Sequence, residues 1–431
     1  MKSLLFILLC PVMIFARSNY DKYFLEKTMR FDFFHVGNKD KEQIVFDEII
    51  EEPEWGGSKT DLIDDTNYGN YFFKLFDKES KQLIYSRGFS TLFQEWQTTE
   101  EAMHLSRTFE GSIVFPYPAT TSILEIYKRD KKNIFQKLFE YEINPENYFI
   151  SKERRMKYEN FKVHYSGEPQ NKLDIVFLPE GYSINEKEKY IHDCKRFADT
   201  LFNYSPFQEN EGNINIWAVE AYSQDTGVDI PAENKWKNSI LNSTYYTFDS
   251  ERYVMTSDYK KVRDLASNAP YDQIYILVNS AKYGGGAIYN FYSALAVDCN
   301  GAGRVFIHEF GHGMAGLADE YAGDVSYVDM YPLDVEPWEE NITTLVDFDS
   351  KWKSLLEEGT LIPTPVDGSY ELKSIQEKLK LGAFEGGGYV TKGVYRASYD
   401  SIMRTLAAGE FNLASKKALI KILNMYIDSE K

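Results

Sequence analysis

The chain contains very little cysteine. Only 3 cysteines occur in 431 residues, at positions 10, 194 and 299. None of them has a second cysteine nearby in the sequence, so we do not expect a cysteine-ligated zinc site. Cys194 and Cys299 lie in apolar segments typical of a protein core. If the chain is exported they could form a disulfide, and two buried free thiols are the alternative.

Long apolar segments are also scarce. The apolar run from Leu4 to Phe15 is shorter than the roughly 20 residues that a transmembrane helix needs. Lys2 precedes this run and the small residue Ala16 follows it, a pattern typical of a secretory signal peptide over residues 1–16. We therefore expect a secreted protein (periplasmic, cell-surface or extracellular) without stable membrane insertion. No small residue stands just before Cys10, which argues against a lipoprotein.

Positive charge is in deficit. Lysine and arginine number 48 against 66 aspartate and glutamate residues, so the formal net charge is −18. Nucleic acid and anionic membrane surfaces repel so acidic a chain, and we exclude both as partners. Acidic clusters could in principle hold calcium. However, the sequence contains no D-x-D-x-D-G loop, so it gives a calcium site no support.

Apolar and aromatic residues are plentiful, at 43% and 16% of the chain, and indicate a folded protein. The length is sufficient for two domains. Short apolar segments separated by turn residues predict an N-terminal all-β sandwich, an accessory domain over residues 17–150. From 160 to 431, strand-like and helix-like segments alternate, which predicts an α/β domain with a mixed twisted sheet. The expected fold class is therefore α+β with two domains.

The motif with the clearest chemistry is H-E-x-x-H, formed by His308, Glu309 and His312. On an α-helix the two histidines lie one turn apart on the same face, so both imidazoles can reach one metal ion. Glu309 projects beside them, where its carboxylate could accept a proton from an activated water. The spacing predicts an active-site helix that binds one catalytic Zn²⁺ ion.

A catalytic zinc ion usually has three protein ligands, so a third must follow the helix. Gly316 is placed to end the helix in a left-handed conformation and to turn the chain back. Asp319 comes three residues later and is the preferred third ligand, with Glu320 as the possible alternative. Glu336 and Glu340 are rival candidates further along, but the prolines around them do not suit a helix that could present a ligand.

The segment from His308 to Tyr321 resembles H-E-x-x-H-x-x-x-x-L-x-D-E-Y, the signature of the IgA-peptidase family of zinc metalloendopeptidases. Leu317, Asp319 and Glu320 fall in register with it. That family is similar to the metzincins, so the resemblance implies a metzincin-like zinc peptidase domain preceded by the family's N-terminal β domain. Nothing in the motif encodes recognition of immunoglobulin.

The resemblance also implies a methionine turn beneath the metal. Residues 399–404 are similar to such a turn, in which Met403 would form an apolar floor under the histidines. In a metzincin-like layout the strand before the active-site helix borders the cleft, and Gly285 and Gly286 could let an extended substrate pair with its free edge. Tyrosines near the turn could stabilise the oxyanion; the candidates are Tyr389, Tyr395 and Tyr399.

The combined expectation is a secreted zinc-dependent metalloendopeptidase. It would hydrolyse peptide bonds with zinc-activated water and Glu309 as general base. The expected partner is a protein or peptide substrate, for which a host or surface glycoprotein is one candidate, and the oligomeric state stays open. Two alternatives remain: a non-catalytic surface-, glycan- or protein-binding protein with a structural zinc site, and a zinc exopeptidase or amidase.

Overall fold

The computed structural model describes residues 19–323, 330–366, 370–371 and 373–427. The predicted signal peptide, residues 1–16, lies outside these ranges. Within them, no helix combines the length and the apolar character that crossing a membrane requires.

Two antiparallel sheets form the N-terminal part of the chain. Their strands are β1 (Phe24–Gly37), β2 (Glu42–Glu52), β3 (Tyr71–Asp77), β4 (Leu83–Phe89), β5 (Arg107–Pro118), β6 (Ser122–Arg129) and β7 (Phe135–Ile143). One sheet has the strand order β2-β1-β5, and the other β4-β3-β6-β7. Two short helices, α1 (Leu92–Trp96) and α2 (Glu101–His104), connect β4 to β5.

The two N-terminal sheets pack face to face because alternate residues of their strands are apolar. In β3, Tyr71, Phe73 and Leu75 are all buried. The Phe73 ring lies 6.0 Å from the ring of Phe115 on the opposite sheet. The predicted all-β character of this region is confirmed.

A six-stranded mixed sheet organises the C-terminal part. Its strands are β8 (Asn160–His164), β9 (Leu173–Glu180), β10 (Ile214–Val219), β11 (Gln273–Val278), β12 (Gly285–Ile288) and β13 (Tyr292–Ala296). Their order is β12-β13-β11-β9-β10-β8. The four inner strands run parallel, and the edge strands β8 and β12 run antiparallel to their neighbours.

Helices and a small second sheet complete this part. The helices are α3 (Lys187–Leu201), α4 (Tyr259–Ala266), α5 (Ala302–Ala315), α6 (Ile375–Lys378) and α7 (Leu413–Tyr426). The small antiparallel sheet has the order β14-β16-β15, from β14 (Ile342–Thr343), β15 (Leu381–Gly387) and β16 (Val390–Ser398). Sheets and helices together confirm the α+β fold class.

The central sheet separates two apolar cores, because β9 is apolar on both faces. Ile175 and Phe177 face the core that contains α3, α5 and α7. Val176 and Leu178 face the other core, which includes α4 and the N-terminal helix α1. The N-terminal region is therefore packed directly onto the sheet that carries helix α5.

The two cysteines of the described chain lie in the core or at its edge. Cys194 on α3 and Cys299 before α5 are both buried free thiols and belong to the same apolar core. Of the two possibilities that the sequence allows, the structure shows free thiols.

Candidate metal centre

Helix α5 ends where the sequence predicts, at a left-handed glycine. Gly316 has φ of +59°, a conformation that glycine adopts without steric cost. Its N–H donates to the carbonyl of His312 (2.9 Å), and the N–H of Leu317 donates to that of Gly311 (3.2 Å). These bonds close the helix and turn the chain back, so that Asp319 returns to the face that carries the histidines.

Three side chains converge at this turn. The Nε2 atoms of His308 and His312 lie 3.1 Å apart. Oδ1 of Asp319 lies 3.2 Å from the first and 3.3 Å from the second. Across the described ranges, these residues form the one group of three or more His, Cys, Asp or Glu side chains close enough to share a metal ion. The imidazoles are 14% and 20% exposed, so an ion can reach them from solvent.

Backbone carbonyls orient both imidazoles. Nδ1 of His308 lies 2.9 Å from the carbonyl oxygen of Ile402, and Nδ1 of His312 hydrogen-bonds the carbonyl of Leu317. An imidazole that donates through Nδ1 keeps the lone pair on Nε2. Both lone pairs therefore point toward Asp319, the arrangement that a metal ligand requires.

The two carboxylate oxygens of Asp319 have different surroundings. Oδ2 accepts hydrogen bonds from the hydroxyls of Tyr321 (3.0 Å) and Tyr389. Oδ1 is buried and accepts no hydrogen bond. One oxygen of the Asp319 carboxylate is therefore hydrogen-bonded, and the other has no hydrogen-bond donor.

This donor set fits a divalent metal ion. A buried acceptor without a donor is costly to the fold, and a cation among the three atoms would satisfy it. Two ligands of a tetrahedral zinc ion, each about 2.0–2.1 Å from it, are about 3.3 Å apart. The observed separations of 3.1, 3.2 and 3.3 Å are close to that value.

Glu309 lies half-buried beside the histidines. A Cβ added to Gly285 on β12 would stand 2.6 Å from its Oε1, so the carboxylate occupies the space that a side chain at position 285 would fill. Burial raises the pKa of Glu309, while the two imidazoles act in the opposite direction. The carboxylate is thus confined next to the metal-facing atoms.

Glu320 points the other way. Its carboxylate accepts hydrogen bonds from Ser401 Oγ (2.7 Å), Asn341 Nδ2 (3.0 Å) and Asn412 Nδ2 (2.8 Å). Burial raises the pKa of Glu320, and these donors oppose the shift. With its oxygens committed to three donors, Glu320 ties the segment after Asp319 to the rest of the domain.

The two more distant glutamates are also engaged away from the histidines. Glu336 accepts a hydrogen bond from the backbone N–H of Asp347 (3.0 Å). Glu340 accepts one from the hydroxyl of Tyr68 in the N-terminal region (2.9 Å). Neither belongs to the group of metal-facing side chains.

Met403 packs directly beneath α5. It is fully buried, and a Cβ added to Gly311 would lie 2.9 Å from its sulfur. Because Gly311 immediately precedes His312, the thioether lies under the stretch of helix that carries the two histidines. The carbonyl of Met403 also accepts the N–H of Glu320 (2.8 Å).

Most of the tyrosines singled out in the sequence do not contact the group formed by His308, His312 and Asp319. Tyr399 donates to Glu371, and Tyr395 packs in a small apolar cluster beside the three-stranded sheet. The structure instead brings Tyr321 and Tyr389 onto the Asp319 carboxylate. Tyr321 stands in the D-E-Y of the motif, and its place two residues after Asp319 was the available signal.

The edge of β12 is not free where the sequence suggested a substrate could pair. β12 is an edge strand of the sheet. However, the N–H of Gly285 donates to the carbonyl of Arg252 (3.1 Å), and its carbonyl accepts the N–H of Val254 (3.4 Å). Gly286 faces inward, and a Cβ there would collide with Tyr253 and Met255. The chain itself occupies the outer edge at Gly285.

Comparison with protein families gives two matches. The model described as IgA Peptidase M64 matches residues 161–380 and 371–423. The model described as Peptidase M64 N-terminus matches residues 19–140. The first alone spans more than half of the chain, and it includes every residue of the metal-facing group. No curated protein gives a significant match.

Proposed function

Because the chain belongs to the IgA peptidase M64 family, which confirms the resemblance seen in the motif, we propose that it is a secreted zinc-dependent endopeptidase. Membership implies a peptidase, and its partner is therefore a protein or peptide substrate. Peptidases of this family are metallopeptidases. In our proposal His308, His312 and Asp319 hold the zinc ion and Glu309 is the general base.

The observation that carries the proposal is the uncommitted Oδ1 of Asp319 between two imidazole lone pairs. Two imidazole nitrogens and one carboxylate oxygen form a ligand set common in catalytic zinc sites, which keep a further position for water. The hydrogen bonds from Tyr321 and Tyr389 hold Oδ2 and so direct Oδ1 toward the histidines. These tyrosines support the ligand set without belonging to it.

The reaction follows from the placement of Glu309. Zinc, when bound, supplies Lewis acidity, which polarises a carbonyl group and lowers the pKa of a water molecule to about 7. Glu309 accepts a proton from the water as its oxygen attacks the carbonyl carbon of the scissile peptide bond. The C–N bond then breaks, and Glu309 returns the proton to the leaving nitrogen. The products are an amine and a carboxylic acid, and the acid gives up its proton to the amine to leave a carboxylate and an ammonium group.

The extracellular location belongs to the proposal as well, and it rests on the sequence of residues 1–16. A positively charged residue, a short apolar run and a small residue at its end are typical of a secretory signal peptide. N-terminal sequencing of the exported protein would show whether the mature chain begins at Arg17.

The test is hydrolysis by the purified mature chain with matched variants. We expect the zinc-loaded protein to cleave an unfolded protein such as reduced casein, a chelator to abolish cleavage, and added zinc to restore it. Glu309→Gln should retain one zinc per chain and lose cleavage. Glu140→Gln, an exposed exchange of the same kind on β7, serves as the control. Full activity in Glu309→Gln would overturn the assigned base, and a zinc-loaded wild type that cleaves nothing would overturn the peptidase.

A further inference from the structure

We propose that Arg252 binds a carboxylate of the substrate beside the scissile bond, and so makes the enzyme selective for acidic peptides. The inference rests on the proposed peptidase function and names its substrate class. The carboxylate can come from an aspartate or glutamate side chain or from the peptide's own carboxyl terminus.

The backbone of Arg252 is attached to the strand that adjoins the general base. Its carbonyl accepts the N–H of Gly285 at 3.1 Å. Gly285 in turn lies against the carboxylate of Glu309, whose Oε1 stands 2.6 Å from where a Cβ at position 285 would be. Gly285 therefore lies between the backbone of Arg252 and the carboxylate of Glu309.

The side chain of Arg252 reaches the other side of the site. Its Nη2 lies 3.5 Å from the hydroxyl of Tyr321, and its guanidinium carbon lies 6.0 Å from the centre of the Tyr321 ring. The Tyr321 hydroxyl donates to Oδ2 of Asp319 at 3.0 Å. The guanidinium is thus two hydrogen bonds away from a metal-facing carboxylate, at the mouth of the site.

The guanidinium of Arg252 has N–H groups that donate no hydrogen bond to the described residues. Arg252 is exposed, and among the described residues it makes no ion pair and only the one long hydrogen bond to Tyr321. Three other arginines at or near the surface are paired with carboxylates: Arg107 with Glu101, Arg155 with Glu48, and Arg196 with Asp193. The exposed Arg154 and Arg304 form no such pair among the described residues, so what distinguishes Arg252 is its position beside the candidate metal centre.

Charge in the site also favours an anionic ligand. A divalent ion would offset the charges of Glu309 and Asp319, which leaves Arg252 as uncompensated positive charge. The adjacent Glu251 does not supply the balance, because Lys282 engages it at 2.7 Å. The planar fork of an arginine matches the two oxygens of a carboxylate.

The loop that presents Arg252 is held rigidly. Three of its non-glycine residues adopt left-handed backbone conformations, with φ of +62° at Tyr246, +52° at Phe248 and +62° at Asp249. Such conformations persist only where the surroundings impose them, and they concentrate at ligand-binding sites. The loop is thus built for a fixed position.

The N-terminal region braces this loop. The hydroxyl of Tyr253 lies 2.6 Å from a carboxylate oxygen of Glu95. The ring of Phe248 lies 6.3 Å from that of Phe109 on β5. The N-terminal domain therefore helps to fix the arginine that selects the substrate, which gives this domain a part in specificity.

The experiment uses the full mature chain and two readouts. The zinc-loaded wild type first digests a degenerate peptide library, and mass spectrometry locates the cleaved bonds. A cleaved peptide is then synthesised with Glu, Gln or Lys at the preferred acidic position, and with a free or an amidated carboxyl terminus. We measure kcat and KM for each peptide, and peptide affinity by fluorescence anisotropy on the inactive Glu309→Gln variant.

We expect wild type to prefer the Glu peptide over the Gln peptide by about 10- to 100-fold in kcat/KM, mainly through KM, and to show a similar preference in affinity. Arg252→Ala should reduce the preference to about twofold or less, and Arg252→Glu should favour Lys. Arg252→Lys should keep part of the preference. Lys237→Ala, which removes an exposed positive charge elsewhere in the peptidase domain, should leave it unchanged.

The comparison of free with amidated peptides identifies which substrate carboxylate Arg252 binds. A preference that disappears on amidation identifies the carboxyl terminus, and one that survives amidation identifies a side chain. The inference fails if wild type shows no preference for acids, if Arg252→Ala retains it, or if Arg252→Ala lowers kcat equally on all peptides, as loss of an oxyanion donor would. A zinc-loaded wild type that cleaves no library peptide would overturn the peptidase proposal itself, a separate outcome.

Discussion

Two regions of the molecule place a histidine against a buried carboxylate, and they are built differently. In the N-terminal sheets, Nε2 of His35 lies 2.8 Å from Oε1 of Glu42. The same carboxylate accepts hydrogen bonds from Tyr71 (2.7 Å) and Lys128. His35 is fully buried, and its ring stacks on Phe93 at 4.7 Å. Here Tyr71 and Lys128 supply donors to the carboxylate, and the atoms without a hydrogen-bond partner are the ring nitrogens of His35.

In the candidate metal centre, one oxygen of the Asp319 carboxylate has no hydrogen-bond donor. Asp319 faces two imidazoles, its Oδ1 has no donor, and no lysine or arginine forms an ion pair with it among the described residues. Both histidines remain partly exposed. A histidine beside a carboxylate therefore does not by itself indicate a metal site. The informative features are an acceptor left without a donor, more than one imidazole lone pair, and access from solvent.

The change with the largest expected effect removes the uncommitted carboxylate. Asp319→Ala should lower zinc affinity by more than about 100-fold, because loss of a ligand should exceed the 10- to 100-fold effect of losing an outer-shell partner. Zinc content after dialysis against a weak chelator measures this. Glu42→Gln alters the closed cluster instead and should retain one zinc per chain. Equal zinc loss in both variants would show that zinc binding does not depend specifically on Asp319.

The neighbouring carboxylate should behave in the opposite way. Glu320→Ala leaves the polar groups of Asn341, Ser401 and Asn412 without their acceptor, so we expect the free energy of unfolding to fall by about 2–4 kcal/mol. Zinc bound per folded chain should stay close to one. Urea denaturation and metal analysis on the same samples separate the two effects. Loss of zinc at unchanged stability would make Glu320 the ligand and exclude Asp319.

The tyrosine on Oδ2 tests how the ligand is held. Tyr389→Phe should weaken zinc binding by about 10-fold, because Asp319 loses a donor that fixes its orientation. Competition with a chromogenic chelator measures this affinity. Tyr395→Phe is the matched control, since that hydroxyl has no role in the metal centre. Equal affinities in the two variants would show that Tyr389 does not position the ligand.

The last prediction concerns the free energy of unfolding at acid pH, to which the cluster of His35, Glu42, Tyr71 and Lys128 contributes. Burial alone would raise the pKa of Glu42, but His35 and Lys128 outweigh it and lower the pKa to about 2. A lowered carboxyl pKa contributes stability that is complete above the unfolded value of about 4.3 and is lost as the pH falls toward 2. Unfolding measured from pH 5 to pH 2.5 should show a loss of about 1–3 kcal/mol in wild type. A Glu42→Gln variant with the same slope would contradict this assignment.

Local sequence predicted the features of the site that depend on local geometry. H-E-x-x-H requires only helical periodicity, and Gly316 requires only a left-handed helix end, so both could be identified before the structure was known. The choice between Asp319 and Glu320 could not be settled in that way. Both are buried neighbours, and they are distinguished by partners distant in sequence, such as Asn412 for Glu320 and Tyr389 for Asp319.

The largest departure from the sequence-based prediction is the edge of β12. A glycine-rich edge strand suggested a free surface for substrate pairing. The segment that covers it, Arg252 to Val254, follows a loop whose left-handed residues include Tyr246 and Phe248. Aromatic residues rarely adopt that conformation, so no local pattern predicts the turn. The strand order of the sheet likewise depends on long-range pairing that local periodicity does not encode.

We propose that His308, His312 and Asp319 together hold one zinc ion, and X-ray absorption at the zinc edge can identify the atoms bound to that ion. The measurement uses the purified mature chain with the Glu309→Gln variant as an uncleaved, inactive reference. We expect one zinc per chain, bound by two imidazole nitrogens and oxygen ligands at about 2.0–2.2 Å without sulfur. A metal-replete protein without zinc, or a zinc environment that Asp319→Ala leaves unchanged, would contradict it.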